Sequence, residues 1–511
     1  MSEKTLLHHL LDAAAESWPE RPAVTRHDAT TTFAGLQDAS HRLAGWLHSR
    51  GIGRGHRVVL AIPSGPLVPA LVFAASRVGA PFSVLHEQVR GVPMEHVLDD
   101  CEPSLVVAED TATLAAARDR GVAAVDPAEL LGAAFPEPGT AAPAERLDLP
   151  EPLAVDPVSL IYTSGTTSLP KAVVSTHQQV VFAARAIQQV LRYRVDDVVY
   201  CPLPLSFDYG LYQLYLGALS GAHTVLGSAA EAGPALLRSL LESKATVLPA
   251  VPSVAESLVW LAKRATDHSL ALRLVTNTGA ALSSETVNAL RAAIPGLRAH
   301  VMYGLTECKR AVIMPPDGDL ERPGSCGLPL PGTEILIVDD QGAQVPPGTV
   351  GEIVVRGPNV MSGYWRRPEL NAERFPLRDG LFPELRTGDY GHLDADGYLY
   401  FSGRRDDLYK ERGFRVSATE VEAAAHRVPG VVSAAVLPPA GKRPAVLAVV
   451  AEATADEVRA LMRDQIEEFK IPRRCVVLEQ LPVGRNGKVD RARLGSLIDE
   501  RPGAAAGAAG A

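Results

Sequence analysis

Short β-branched runs alternate with helical patterns through the first third of the chain, and this alternation constrains the fold more than any other property of the sequence. Arg57-Val-Val-Leu-Ala-Ile62 reads as a strand, Pro66 to Val78 as a helix, Phe82-Ser-Val-Leu85 as a strand, Gly91 to Asp100 as a helix and Ser104-Leu-Val-Val107 as a strand. Strands separated by helix-length connections pair in parallel, with helices covering the faces of the sheet. The rhythm resumes after the Pro/Ala/Gly-rich stretch Glu137 to Pro152, with His223-Thr-Val-Leu226, Thr246-Val-Leu248 and Arg273-Leu-Val-Thr276. Two similar α/β lobes follow.

From Gly332 the helical patterns give way to Glu334-Ile-Leu-Ile-Val338 and Glu352-Ile-Val-Val-Arg356 with turn residues between, predicting a small, mostly antiparallel, helix-free subdomain. Beyond Gly403 the pattern becomes a compact α+β mixture: a helix from Ser417 to Arg427, strands Val431 to Val436 and Ala445 to Val450, and a helix Asp456 to Phe469. The expected organisation is a large N-terminal domain over 1–402, a hinge at 403–406, a small domain over 407–500 and a low-complexity, disordered tail at 501–511.

Bulk properties exclude several classes. The 511 residues are 46% hydrophobic with a net charge of -9, which offers no broad basic field for nucleic acid or an anionic membrane. No window approaches the roughly 20 consecutive apolar residues that cross a bilayer. The first residues, Met1 to Leu11, read as an amphipathic helix and not as a signal peptide. Five scattered cysteines, none spaced as Cys-x-x-Cys, indicate neither a disulfide framework nor a zinc site, and fit the reducing cytoplasm.

Five segments carry chemistry. In Leu160-Ile-Tyr-Thr-Ser-Gly-Thr-Thr-Ser-Leu-Pro-Lys-Ala-Val-Val174 a strand enters a run of hydroxyls and glycine, Thr163, Ser164, Gly165, Thr166 and Thr167, and a strand leaves after Lys171. Hydroxyls, backbone N–H groups and an ammonium suit a polyphosphate, although the composition alone also fits a surface loop. Pro170 before the lysine sets it apart from a Walker loop. In His300-Val-Met-Tyr-Gly-Leu-Thr-Glu307 an aromatic face that can stack on a purine precedes a hydroxyl and a carboxylate that can hold Mg²⁺; the same residues also fit a strand end and a helix cap. Arg386-Thr-Gly-Asp389, Gly403-Arg404-Arg405-Asp406 through Val416, and Leu481-Pro-Val-Gly-Arg-Asn-Gly-Lys488 complete the set.

In order and spacing these segments resemble the adenylate-forming superfamily: acyl- and aryl-CoA synthetases, the adenylation domains of nonribosomal peptide synthetases, and luciferase. The resemblance covers nearly the whole chain. It implies a large N-terminal domain of about 400 residues and a mobile C-terminal domain of about 110. It also implies ATP and Mg²⁺ as cofactors, with a small carboxylic acid converted to an adenylate and pyrophosphate released. By matching position, Thr163 to Lys171 resembles the phosphate loop, Gly279, Ala280, Ala281 and Tyr303 the adenine pocket, and Thr306 and Glu307 the α-phosphate and metal contacts. Asp389 and Arg404 resemble the ribose contacts, Asp406 the hinge, and Gly413 the lining of a thiol tunnel. Lys488 resembles the lysine that bridges the substrate carboxylate and the α-phosphate. Two small residues, Ser168 and Ala172, replace the usual glycines of the phosphate loop.

The acid is approached through Cys201-Pro-Leu-Pro-Leu-Ser-Phe-Asp-Tyr-Gly210, where Phe207-Asp208 resembles amino-acid-activating domains whose aspartate pairs with the substrate ammonium; as a bare sequence Asp208 also fits a turn. Cys308-Lys309-Arg310 follows Glu307 where the acyl pocket is expected, and its two cations either receive a second anionic group or merely contact solvent or ATP, solvent being the leading expectation. The acceptor is expected to be a thiol, coenzyme A or a carrier-protein phosphopantetheine, with an amine as the alternative. A luciferase-like oxidase and a silent ATP-binding protein are the more distant readings, the latter at odds with the presence of Glu307 and Lys488.

Overall fold

The structure, a computed structural model, describes residues 5–137, 144, 146–163, 170–264, 270–279, 282–378, 382–404, 408–411, 414–440, 443–466, 468–483 and 489–499. The chain forms two compact units, the first comprising Met1–Leu336, Val354–Thr387 and Ala395–Leu399, the second Ile337–Ile353, Gly388–Asp394 and Tyr400–Ala511.

In the first unit a six-stranded sheet runs in the order Ala123–Val125, Leu105–Ala108, Val58–Ala61, Phe82–Val84, Pro157–Thr163, Lys171–Thr176. Every pairing is parallel except the last, an antiparallel hairpin. Val58 and Leu60 enter one apolar core while Val59 and Ala61 enter another on the opposite face, which is why the strand reads as a continuous β-branched run. The expected helix behind it, Leu67–Val78, is buried along nearly its whole length and ends at Gly79 with φ +73°. Its apolar sequence thus belongs to the core. No helix among the described residues is long and apolar enough to cross a membrane.

The second sheet has nine strands. Arg298–Tyr303, Leu274–Asn277, Val247–Ala250, Val198–Cys201, His223–Leu226 and Pro22–Arg26 lie side by side in parallel, with short antiparallel strands at both edges. The two α/β lobes therefore exist, and the outermost parallel strand of the second is contributed by the N-terminal segment. A correction concerns the region after Gly332, which is not free of helix: Pro368–Arg374 is α-helical, with proline and Glu369 in its first turn.

The second unit is α+β. Val431–Leu437 pairs antiparallel with Val446–Ala451, which pairs in parallel with Arg474–Val477. Leu447 and Val449 pack with Val421, Ala425 and Met462 on one face of the sheet, Val446 and Ala448 with Leu494 and Ile498 on the other. The helix expected over Asp456 to Phe469 is shorter, Ala455–Met462, started by the Thr454–Glu457 capping box.

Candidate active site

In an open parallel sheet ligands gather beyond the carboxyl ends of the strands. Three neighbouring parts of the nine-stranded sheet deliver the sequence candidates to that edge: Val198–Cys201 leads to Phe207 and Asp208, Leu274–Asn277 to Gly279, and Arg298–Tyr303 to Thr306 and Glu307. A Cβ built on Gly279 would touch the Phe207 ring at 3.7 Å, so the expected adenine and acid segments adjoin. Phe207 caps the helix Asp208–Ser220, and Asp208 occupies its first turn, where the helix dipole favours a carboxylate.

The cations after Glu307 do not face solvent, which corrects the leading expectation. Lys309 is 1% and Arg310 4% exposed, against 3% for Asp208. Arg310 Nη1 lies 3.6 Å from Asp208 Oδ2 and donates to the Lys309 carbonyl at 2.7 Å. The guanidinium sits 4.6 Å over the Tyr209 ring, and the Lys309 ammonium 5.9 Å from that of Tyr212. Lys309 Nζ, Arg310 Nε, Asp208 Oδ2 and the Tyr212 hydroxyl are buried with no hydrogen-bond partner in the protein. Burial pulls the Lys309 ammonium below its usual range, opposed by the charges of Asp208 and Glu307, and pushes the Cys308 thiol up to about 12.

Backbone geometry holds this group in place. Lys309 adopts a left-handed φ of +61°, and its carbonyl approaches Gly304 so closely that a Cβ there would lie 2.3 Å away. The Asn359 amide donates to the carbonyls of Cys308 at 3.2 Å and Arg310 at 3.0 Å. A buried, unmatched ammonium on a left-handed backbone opposes folding, and such groups persist where a ligand uses them.

Glu307, 8% exposed, receives the Tyr364 hydroxyl on Oε1 at 2.6 Å. The Lys171 ammonium lies 4.2 Å from the centre of the same ring. Lys171 also stands opposite Thr163 in the hairpin register, so the described ends of the expected phosphate loop and the expected metal carboxylate belong to one cluster. Ala172 is an ordinary ladder residue opposite Tyr162, buried at 1%, and needs no glycine. With Thr306 beside it, Glu307 offers the hard oxygen donors that Mg²⁺ prefers.

In the second unit Asp389 is buried on the strand Leu385–Leu393, and Arg404 ends the strand Leu399–Arg404. Ser164, Gly165, Thr166, Thr167, Ser168, Ala280, Ala281, Asp406, Gly413, Lys488 and the 501–511 tail lie outside the described residues, as does the side chain of Arg404. Sequence reasoning missed Tyr212, Asn359 and Tyr364. Tyr212 had a signal, standing four residues after Asp208 and so on the same helical face. Asn359 and Tyr364 had none.

The profile of the AMP-binding enzyme family matches residues 11–365, and that of the AMP-binding enzyme C-terminal domain matches residues 420–488. The chain belongs to the adenylate-forming, AMP-binding superfamily. It is an AMP-forming acid ligase. Among adenylate-forming relatives, feruloyl-CoA synthase of Amycolatopsis sp. is 32% identical over 93% of this chain and 96% of its own length. Syringomycin synthase SyrB1 of Pseudomonas syringae pv. syringae is 31% identical over 96% of this chain and 81% of its own. Among solved adenylate-forming structures, VinN in complex with L-aspartate is 41% identical with a TM-score of 0.71, covering 78% of this chain and 98% of VinN. O-succinylbenzoate-CoA synthetase (MenE) of Bacillus subtilis, in complex with its acyl-adenylate intermediate, is 27% identical with a TM-score of 0.81, covering 95% and 97%.

Proposed function

We propose that this ligase activates an amino dicarboxylic acid with ATP, forming its acyl adenylate and pyrophosphate, and passes the acyl group to a thiol. The observation that carries the reading is the buried group Asp208, Lys309 and Arg310, one carboxylate facing two cations with polar atoms unmatched by the protein. Asp208 takes the substrate ammonium; Lys309 and Arg310 take the carboxylate that is not activated. The binding of L-aspartate by VinN supports the same charge pattern. Because Arg310 Nη1 and Asp208 Oδ2 are 3.6 Å apart, the two anchors fit an ammonium and a carboxylate borne on one carbon. The distal carboxylate is then the one presented to ATP.

Joining a carboxylate to a phosphate brings two anions together, so positive charge placed in advance is the main requirement. Lys488 supplies an ammonium to the substrate carboxylate and α-phosphate, and Lys171 with Thr163 to Thr167 cradles the outer phosphates. Tyr303 and Gly279 to Ala281 hold adenine, and Asp389 with Arg404 the ribose. Glu307 and Thr306 would hold Mg²⁺, which neutralises phosphate charge when bound. Residues 1–402 bind the substrates, and 407–500 turn about a hinge at 403–406 to bring in Lys488. In the second stage the same domain presents a thiol, from coenzyme A or a carrier protein, along Gly413.

The test is pyrophosphate exchange with aspartate, asparagine, succinate and alanine, each with and without coenzyme A. Aspartate or a close analogue leads, succinate is down by about 100-fold for the loss of one buried charge partner, and asparagine and alanine, which have no distal carboxylate to activate, give no exchange. Equal rates with succinate, or an Asp208→Ala variant with unchanged preference for amino acids, refute the ammonium site. Acyl product from an amine without any thiol refutes the thiol acceptor.

A further inference from the structure

Tyr364 belongs to none of the segments legible in the sequence, yet three independent sets of contacts converge on it. Its backbone is clamped by one side chain: the Asn371 carbonyl accepts from Tyr364 N–H at 2.7 Å, and the Asn371 amide donates to the Tyr364 carbonyl at 2.9 Å. The clamp requires Gly363 before it, at φ +107°, where a Cβ would meet the Asn371 side chain at 2.8 Å. The surrounding stretch lies beside the strand that leaves the phosphate loop, with Ser362 and Trp365 N–H donating to the Val174 and Ala172 carbonyls at 3.0 and 2.8 Å. Met361 N–H donates to the Glu307 carbonyl at 2.8 Å. The phenol, 2% exposed, packs edge-on to Phe375, lies under the Lys171 ammonium and donates to Glu307.

We infer that Tyr364 is a positioning residue that fixes Glu307 and Lys171 relative to one another, so that the metal carboxylate and the phosphate-binding ammonium are set before ATP arrives. The inference rests on the proposed metal role of Glu307. A phenol donating to Oε1 fixes the rotation of the carboxylate and leaves Oε2 as the oxygen for the ion. The Asn371 clamp fixes the backbone that carries the phenol, and packing against Phe375 holds the ring. Substrate acid is not involved.

Tyr364→Phe keeps the ring, its packing and its face toward Lys171, and removes the hydroxyl that donates to Glu307 and also meets Arg374. Hydrogen bonds to charged groups are worth enough that the magnesium concentration for half-maximal pyrophosphate exchange rises about tenfold. The KM for the acid and the melting temperature stay put. In a Glu307→Gln background the same substitution adds nothing further, because the carboxylate it orients is gone. Magnesium dependence unchanged in Tyr364→Phe overturns the inference, as does an equal rise in the KM for acid together with a lowered melting temperature. Calorimetric binding of magnesium-ATP to wild type and variant, without any acid, decides the matter separately: a wild-type affinity unchanged by Glu307→Gln sinks the proposed metal role of Glu307, and equal affinities of wild type and Tyr364→Phe sink the role of Tyr364.

Discussion

Lys309→Met separates the two faces of a buried charge. Lysine and methionine are both unbranched at Cβ, so the left-handed φ of +61° costs each the same and cancels from the comparison. What remains is the ammonium, fully buried and unmatched by any protein acceptor. Burying a charge without a partner is costly, so an apolar side chain of similar volume leaves the unliganded fold at least as stable. With substrate bound the balance reverses, since the variant leaves a carboxylate buried without one of its partners, at a cost of about 3–5 kcal/mol. At about 1.4 kcal/mol per tenfold, kcat/KM for an amino dicarboxylic acid should fall by roughly 10²-fold to several thousandfold, while the unliganded enzyme melts no lower than wild type. Differential scanning calorimetry and pyrophosphate exchange on one preparation check both. A variant that melts lower, or that loses activity equally toward aspartate and β-alanine, which lacks the anchored carboxylate, refutes the reasoning.

Three further outcomes are expected. Burial lowers the proton affinity of Lys309 in the folded enzyme, so between the folded and unfolded values the unfolded chain holds the extra proton and stability rises with pH. A bound carboxylate favours the protonated form, so the KM for the dicarboxylic acid should climb as pH passes the lowered value; Lys309→Arg, which stays charged, should lose that limb in a KM–pH profile. Gly304→Ala would put a Cβ 2.3 Å from the Lys309 carbonyl and 2.8 Å from Arg310 Cα, backbone atoms that cannot rotate away. It should cost about 1–3 kcal/mol in denaturant unfolding and abolish dicarboxylate activation while circular dichroism stays native. Lys488→Ala should abolish pyrophosphate exchange and leave the melting temperature unchanged, and residual acid-dependent exchange would refute its assignment.

The strand and helix pattern was legible because each core strand is apolar on both faces and each connection is long enough for a helix. Val58–Ala61, His223–Leu226 and Leu274–Asn277 lie within a residue or two of where periodicity puts them. The superfamily was legible too, since its motifs are short contiguous segments that survive as strings. Pairings between distant segments were not. Pro22–Arg26 joins His223–Leu226 across some two hundred positions, and no local pattern announces that partner.

The charge pocket marks the same divide. The sequence by itself determined that an aspartate follows Phe207 and that two cations follow Glu307, because residue identity is all that requires. Whether those cations meet water or a buried pocket with Asp208 depends on how closely the Gly304 turn folds back and on Asn359 reaching the carbonyls on either side of Lys309, and both are long-range packing. Tyr364 reaching Glu307 across 57 positions is the same kind of fact. Local order follows from side chains a few residues apart, whereas burial and electrostatics are set by segments brought together only in the folded chain.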